Sequence, residues 1–146
     1  MRFDYKRANP EASAAMLAFN RFSHETKLDA KLIELIKIRA SQINGCAFCL
    51  DMHTRDALAL GESDRRLHVL AVWQESGMFS EREQVALRLT EAVTRISKRG
   101  VPDDLYAAVR THFDEREYMD LISVINIINC WNRIAIATGL GPPEKA

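Results

Sequence analysis

The run Tyr118-Met119-Asp120-Leu121-Ile122-Ser123-Val124-Ile125-Asn126-Ile127-Ile128-Asn129-Cys130-Trp131-Asn132-Arg133-Ile134-Ala135-Ile136-Ala137-Thr138-Gly139-Leu140 is the most hydrophobic part of the chain. Leu121, Ile122, Val124, Ile125, Ile127, Ile128, Trp131, Ile134 and Ile136 sweep nearly every direction around a helical axis. Asp114 can cap such a helix and Gly139 can close it after Thr138. A helix apolar all round lies in the middle of a core or between a core and a partner subunit. One of this length is hard to cover within 146 residues, so a homo-oligomer is expected. Asp120, Asn126, Asn129, Asn132 and Arg133 interrupt the run at too high a polar cost for a membrane span.

Working outward, the other segments also read as helices. Pro10-Glu11 opens one to about Ser23, and a second runs from about Leu28 to Ile43 with Leu28, Leu32, Leu35, Ile36 and Ile43 near helical spacing. Asn44-Gly45 breaks it. A third starts around Cys46 and ends at Gly61. Ser63 and Asp64 are placed to cap a fourth through Trp73. Ser80-Glu81-Arg82-Glu83 reads as a capping box for a fifth, which carries Val85, Leu89, Ala92, Val93 and Ile96 in one stripe and stops before Gly100. Pro102-Asp103-Asp104 opens a sixth to about Phe113. No alternating run has the length and turn signals of a strand pair. The expectation is one all-α domain, residues 1–146, of about seven helices.

Composition narrows the function. The chain holds 20 Lys and Arg against 20 Asp and Glu. A net charge of zero argues against nucleic-acid binding by bulk electrostatics. Charged residues at 27% and apolar ones at 47% are ordinary globular values. Three cysteines are too few for a disulfide-stapled scaffold, and Met1-Arg2-Phe3-Asp4-Tyr5-Lys6-Arg7 is followed by no apolar run of signal-peptide length. A cytoplasmic protein with reduced thiols and no membrane partner is expected.

The chemistry concentrates in Asn44-Gly45-Cys46-Ala47-Phe48-Cys49-Leu50-Asp51-Met52-His53. Cys46, Cys49 and His53 stand at i, i+3 and i+7, on one face of a helix. Unpaired amides and the helix dipole at the helix start favour thiolate over thiol, and His53 can accept or return a proton. The terminus favours Cys46 as the reactive sulfur and the nearer imidazole favours Cys49, so the residues alone leave that choice open. Glu34 lies on the preceding helix, amid Leu32, Ile33, Leu35 and Ile36. A helical hairpin would bring its carboxylate back beside the thiol and imidazole groups. Zinc held by Cys46, Cys49 and His53, with Glu34 or a water as the fourth ligand, is the competing reading. It is disfavoured because structural zinc sites usually draw ligands from two loops.

Other residues read more plainly. Cys130 is expected in the core, and His24, His68 and His112 at the surface. Asn126, Asn129 and Asn132 are expected to satisfy helix ends or subunit contacts, and Trp73 and Trp131 to be core or interface.

Glu34, Cys46-x-x-Cys49 and His53, with Arg39-Ala40-Ser41-Gln42-Ile43-Asn44-Gly45-Cys46 and Asn129-Cys130-Trp131-Asn132-Arg133, resemble the alkyl hydroperoxidase D-like branch of the carboxymuconolactone decarboxylase family. The resemblance spans about Leu28 to Ala137. It implies an all-helical subunit that assembles into trimers or hexamers, and a thiol peroxidase needing no metal or haem. It also implies that Cys49 attacks the peroxide, Cys46 resolves the sulfenic acid to a disulfide, and Glu34 and His53 relay protons. The reductant it implies is a lipoyl-bearing or thioredoxin-like dithiol protein. A non-enzymatic redox sensor or disulfide-exchange module on the same pair is the alternative. The best-characterised peroxidases of this branch carry a second histidine where this chain has Phe48, and their motif lies later in a longer chain. The decarboxylase branch lacks the paired cysteines, so lactone decarboxylation is not expected here.

Overall fold

The computed structural model describes residues 1–143, and every regular element among them is helical. In chain order the helices are α1 (Tyr5–Ala8), α2 (Pro10–Phe22), α3 (Ala30–Asn44), α4 (Ala47–Ala59) and α5 (Asp64–Val69). A 3-10 turn, Leu70–Val72, leads into α6 (Trp73–Ser76), α7 (Glu81–Thr94), α8 (Ile96–Arg99), α9 (Asp103–Arg110) and α10 (Glu115–Thr138). The expected helices all appear. The fourth is broken into α5, the 3-10 turn and α6, and Arg95, at φ −110° and ψ 38°, splits the fifth into α7 and α8. The four-residue α1 is additional, capped by the Asp4 side chain.

Local chemistry explains most of the boundaries. Ser80 with Glu83 and Asp114 with Glu117 both form reciprocal capping boxes, satisfying two orphan donors at each helix start. Asp29, rather than Leu28, begins α3 and accepts from the Leu32 amide. Ser63 stands at the start of α5 without a side-chain capping bond.

The fully wrapped helix is α3. Every residue from Leu32 to Ile38 is buried, because α4, α7 and α10 pack around it. Leu32, Ile33 and Ile36 enter one cluster with Val85, Leu89, Val109, Phe113, Leu121 and Ile125, while Leu35 and Ile38 enter a second with Leu67, Leu70, Trp73 and Leu87. The helix α10 passes by length and composition as one that could cross a membrane, yet it packs against α3, α7, α9 and α4 with Asp120, Asn129 and Asn132 among its buried residues. Half of its most apolar stretch is buried by the rest of the chain, Ile122, Trp131 and Ile134 are half-buried, and Met119 and Ile136 are exposed. Further uncovered apolar residues lie on α2, which buries none of its side chains: Leu17, Phe19 and Phe22 are exposed.

Candidate active site

The hairpin of α3 and α4 builds the site. Gly45 ends α3 in the left-handed conformation, at φ 71° and ψ 32°, and the Gly45 and Cys46 amides both donate to the Ser41 carbonyl. That reversal sends the chain straight back, so Cys46 becomes the residue before α4, Cys49 falls in its first turn and His53 one turn later. Glu34, two to three turns before the break, comes alongside His53. Its Oε2 lies 2.7 Å from His53 Nδ1, and its Oε1 accepts from the Lys37 ammonium at 2.9 Å.

Both thiols are free, and their sulfurs lie 2.8 Å apart. The Cys49 amide donates to Cys46 Sγ at 3.4 Å. Each cysteine is only 2% exposed, in a small cluster with Ala40, Ile128 and Ala135. Cys49 lines a cavity. A space of about 360 Å³ is lined by Cys49, His53, Glu34 and Lys37 at one end and by Phe48, Met52, Trp131, Ile134 and Leu140 along its apolar walls. Tyr5, Asn20 and the exposed His24 add to its rim, and Cys46 is not part of the lining. Trp131 ties this rim to the core, since its Nε1 donates to Asn20 Oδ1 at 3.0 Å and its ring meets Tyr5 edge-on. A wider cleft of about 490 Å³ between Trp73 and Leu105 is lined by no cysteine or histidine.

The electrostatics correct one expectation. The paired thiols were expected to ionise readily, with the helix start acting on Cys46, but burial, reinforced by the neighbouring Cys46 sulfur, pushes the Cys49 thiol up to about 12. The Asn132 amide pulls the other way without overcoming the loss of water. Cys49 therefore needs a base at the moment of reaction. Burial pushes the Glu34 carboxyl up as well, yet the His53 hydrogen bond and charge together with Lys37 outweigh it and hold the group below its ordinary value.

The ligand set of the competing zinc reading, Cys46, Cys49 and His53 with Glu34, is not gathered as one group among the described residues. Among the described residues the grouping with ligand atoms all within 4.8 Å of one another is Glu34, His53 and Asp56, without either sulfur. The Lys37 ammonium already occupies one Glu34 oxygen, so an added cation would meet a fixed positive charge. This is a cluster suited to moving protons.

Several residues the sequence reading passed over belong here. Lys37 follows Glu34 by one turn inside an otherwise apolar stretch, and that misplaced charge was its signal. Asp56, one turn after His53, approaches its Nδ1 at 3.7 Å but is 57% exposed. His24 is at the surface as expected and also lines the cavity. Asn132 was assigned to helix ends or subunit contacts. It is fully buried, accepts from Asn44 at 2.8 Å and donates to Ser41 Oγ at 3.0 Å. Asn129 accepts from the same Asn44 amide, whereas Asn126 is exposed. Cys130 is half-buried rather than core, and its sulfur is not among the cavity residues.

Comparison with known proteins gives the family. Residues 10–92 match the model of the carboxymuconolactone decarboxylase family. The chain is 46% identical over 138 residues to the uncharacterized protein YdfG of Bacillus subtilis, covering 94% of each. It shares 39% identity and a TM-score of 0.95, over 99% of both chains, with a crystal structure of a protein of unknown function from Agrobacterium tumefaciens ascribed to AhpD-type antioxidant defence. An AhpD-core, peroxidase-related protein from Ralstonia eutropha has the same fold at 20% identity and a TM-score of 0.84, with 96% of this chain and 75% of that one covered. The chain thus belongs to the carboxymuconolactone decarboxylase family, in its alkyl hydroperoxidase D-like branch.

Proposed function

We propose that this protein is a thiol-dependent peroxidase that reduces alkyl hydroperoxides. The observation that carries the reading is that Cys49 alone of the two sulfurs lines the cavity, beside the Glu34–His53 pair, with the Cys46 sulfur 2.8 Å behind it. The Cys49 proton passes to His53 and the thiolate attacks the terminal peroxide oxygen. The O–O bond breaks, and the alkoxide leaves as alcohol with the proton held by His53. Cys49 is then a sulfenic acid. Cys46 attacks its sulfur, the sulfenic oxygen departs as water, and a Cys46–Cys49 disulfide forms. An external dithiol returns both thiols and is itself oxidised to a disulfide.

The apolar walls suit an organic hydroperoxide, and the burial of both sulfurs suits a slender dithiol such as a lipoyl arm better than a broad thioredoxin-like surface. The same burial argues against a sensor that exchanges disulfides directly with a partner protein. A reducing, cytoplasmic setting fits free thiols.

The test is hydroperoxide loss with reduced lipoamide present. Wild type should turn over. Cys49→Ser should fall to the uncatalysed rate, and Cys46→Ser should give a single turnover ending in a trapped sulfenic acid. Equal rates in all three would end the proposal. Assembly into a homo-oligomer, a trimer or hexamer, belongs to the same reading, supported by the bare apolar surface of α2. Sedimentation at micromolar concentration should show it, and a monodisperse monomer would refute it.

A further inference from the structure

Lys37 is 4% exposed, a rare position for a lysine, and its ammonium meets the Glu34 oxygen that His53 does not use. A buried pair of this kind is a weak source of stability, because desolvation offsets the attraction. Its effect on the neighbouring imidazole is larger. Glu34 and His53 are 2.7 Å apart and share protons as a unit. The pair can hold its extra proton in two ways. A neutral carboxyl can donate to Nδ1, which puts the ring proton on Nε2, or the ring can be an imidazolium with protons on both nitrogens. In either form Nε2 has no lone pair. Only when that proton is absent does a Glu34 carboxylate accept from Nδ1–H and leave Nε2 free to take a proton.

We propose that Lys37 is a positioning residue that keeps the Glu34–His53 pair one proton short, so that His53 Nε2 stands ready to accept the Cys49 proton. With Lys37 present, the three groups sum to zero charge in the competent state and to +1 when the extra proton is bound. Without Lys37, the competent state carries a net −1 and the proton-bound state is neutral, so burial favours the inactive form. The other ionisable groups around His53 do not cancel this effect. On α4, Asp56 pulls toward the protonated pair but is mostly in water and screened, and Cys49 is a neutral thiol at pH 7. Tyr5 on α1 and the exposed His24, between α2 and α3, also line the cavity. The residues that α10 brings to the cavity, Trp131, Ile134 and Ala135, carry no charge.

The inference rests on the peroxidase reading for its purpose but not for its test. Protein labelled with 15N-histidine reports whether each ring nitrogen carries a proton, with the His53 signal assigned from His53→Gln. At pH 7 wild-type Nε2 should bear a lone pair. Lys37→Met should keep Nε2 protonated until at least one pH unit higher, a roughly tenfold loss of the competent form. In this Nε2 profile Lys37→Arg should follow wild type, and so should Lys37→Met combined with Glu34→Gln, which restores the charge balance. If Lys37→Met changed activity but left the Nε2 profile where it is in wild type, the lysine would be structural and the proposal wrong. If the profile moved as expected while hydroperoxide turnover was absent even in wild type, the peroxidase reading would fail and the role of Lys37 would stand.

Discussion

Asn132 shows what a single buried amide does in this molecule. It has no exposed surface and uses both ends of its side chain, accepting from Asn44 and donating to Ser41 Oγ, whose own hydroxyl donates to the Lys37 carbonyl. Asn44 also donates to Asn129, and Asn129 donates in turn to Thr94 Oγ1 and the Ile125 carbonyl. The chain of amides therefore pins the last turn of α3, just before Gly45, to α10 and α7. Truncation to alanine takes one partner from the half-buried Asn44 and one from the buried Ser41. Asn132→Ala should cost about 2 kcal/mol in urea denaturation, since orphaned buried polar groups carry most of their desolvation penalty. It also removes the amide whose influence pulls the Cys49 thiol down, so alkylation of Cys49, followed by peptide mass, should slow. A variant as stable as wild type would show that the network is slack.

At the scale of elements, most of what positions the site could be read from neighbours in sequence. The Ser80 and Asp114 capping boxes, the turn at Gly45 and the close of α10 at Gly139 are local devices. Each needs only a few adjacent residues, and each falls where the sequence places it. The hairpin logic that brings Glu34 back beside α4 is also local, because a short break between two helices allows little else. What could not be read depends on which helix the others surround. The all-round apolar pattern of α10 pointed to it, whereas α3, with Glu34, Lys37, Arg39 and Ser41 in its sequence, looked amphipathic. In the fold α3 is the wrapped one, and its polar residues survive there by pairing with Glu91, His53 and one another. The raised Cys49 thiol was hidden for the same reason. The helix start acts over one turn, but the desolvation that overrides it comes from α3 and α10, distant in sequence.

Across the whole molecule, charge balance hides an acid-sensitive centre. Twenty acidic and twenty basic residues cancel near neutrality, and many of the ion pairs lie at the surface, where each contributes little. Glu34 is different, being buried, paired on both oxygens and held below its ordinary value of 4.5. Because folding lowers its affinity for a proton, the ionised carboxylate stabilises the native state fully above pH 4.5. That contribution drains away as pH falls through the lower, folded value. Breaking a buried charge pair by removing one partner typically costs about 3 to 5 kcal/mol, because the remaining charge has no partner. Glu34→Gln should therefore lose about 3 kcal/mol at pH 7, measured as a lower urea midpoint at unchanged slope. Below that lowered, folded value the wild-type carboxyl itself becomes neutral and Lys37 loses its partner in both proteins. The two midpoints should then converge. A gap of the same size at pH 7 and pH 3 would mean that Glu34 contributes shape and packing rather than charge. The Glu34, Lys37 and His53 cluster would then be part of the scaffold and not a device for handling protons.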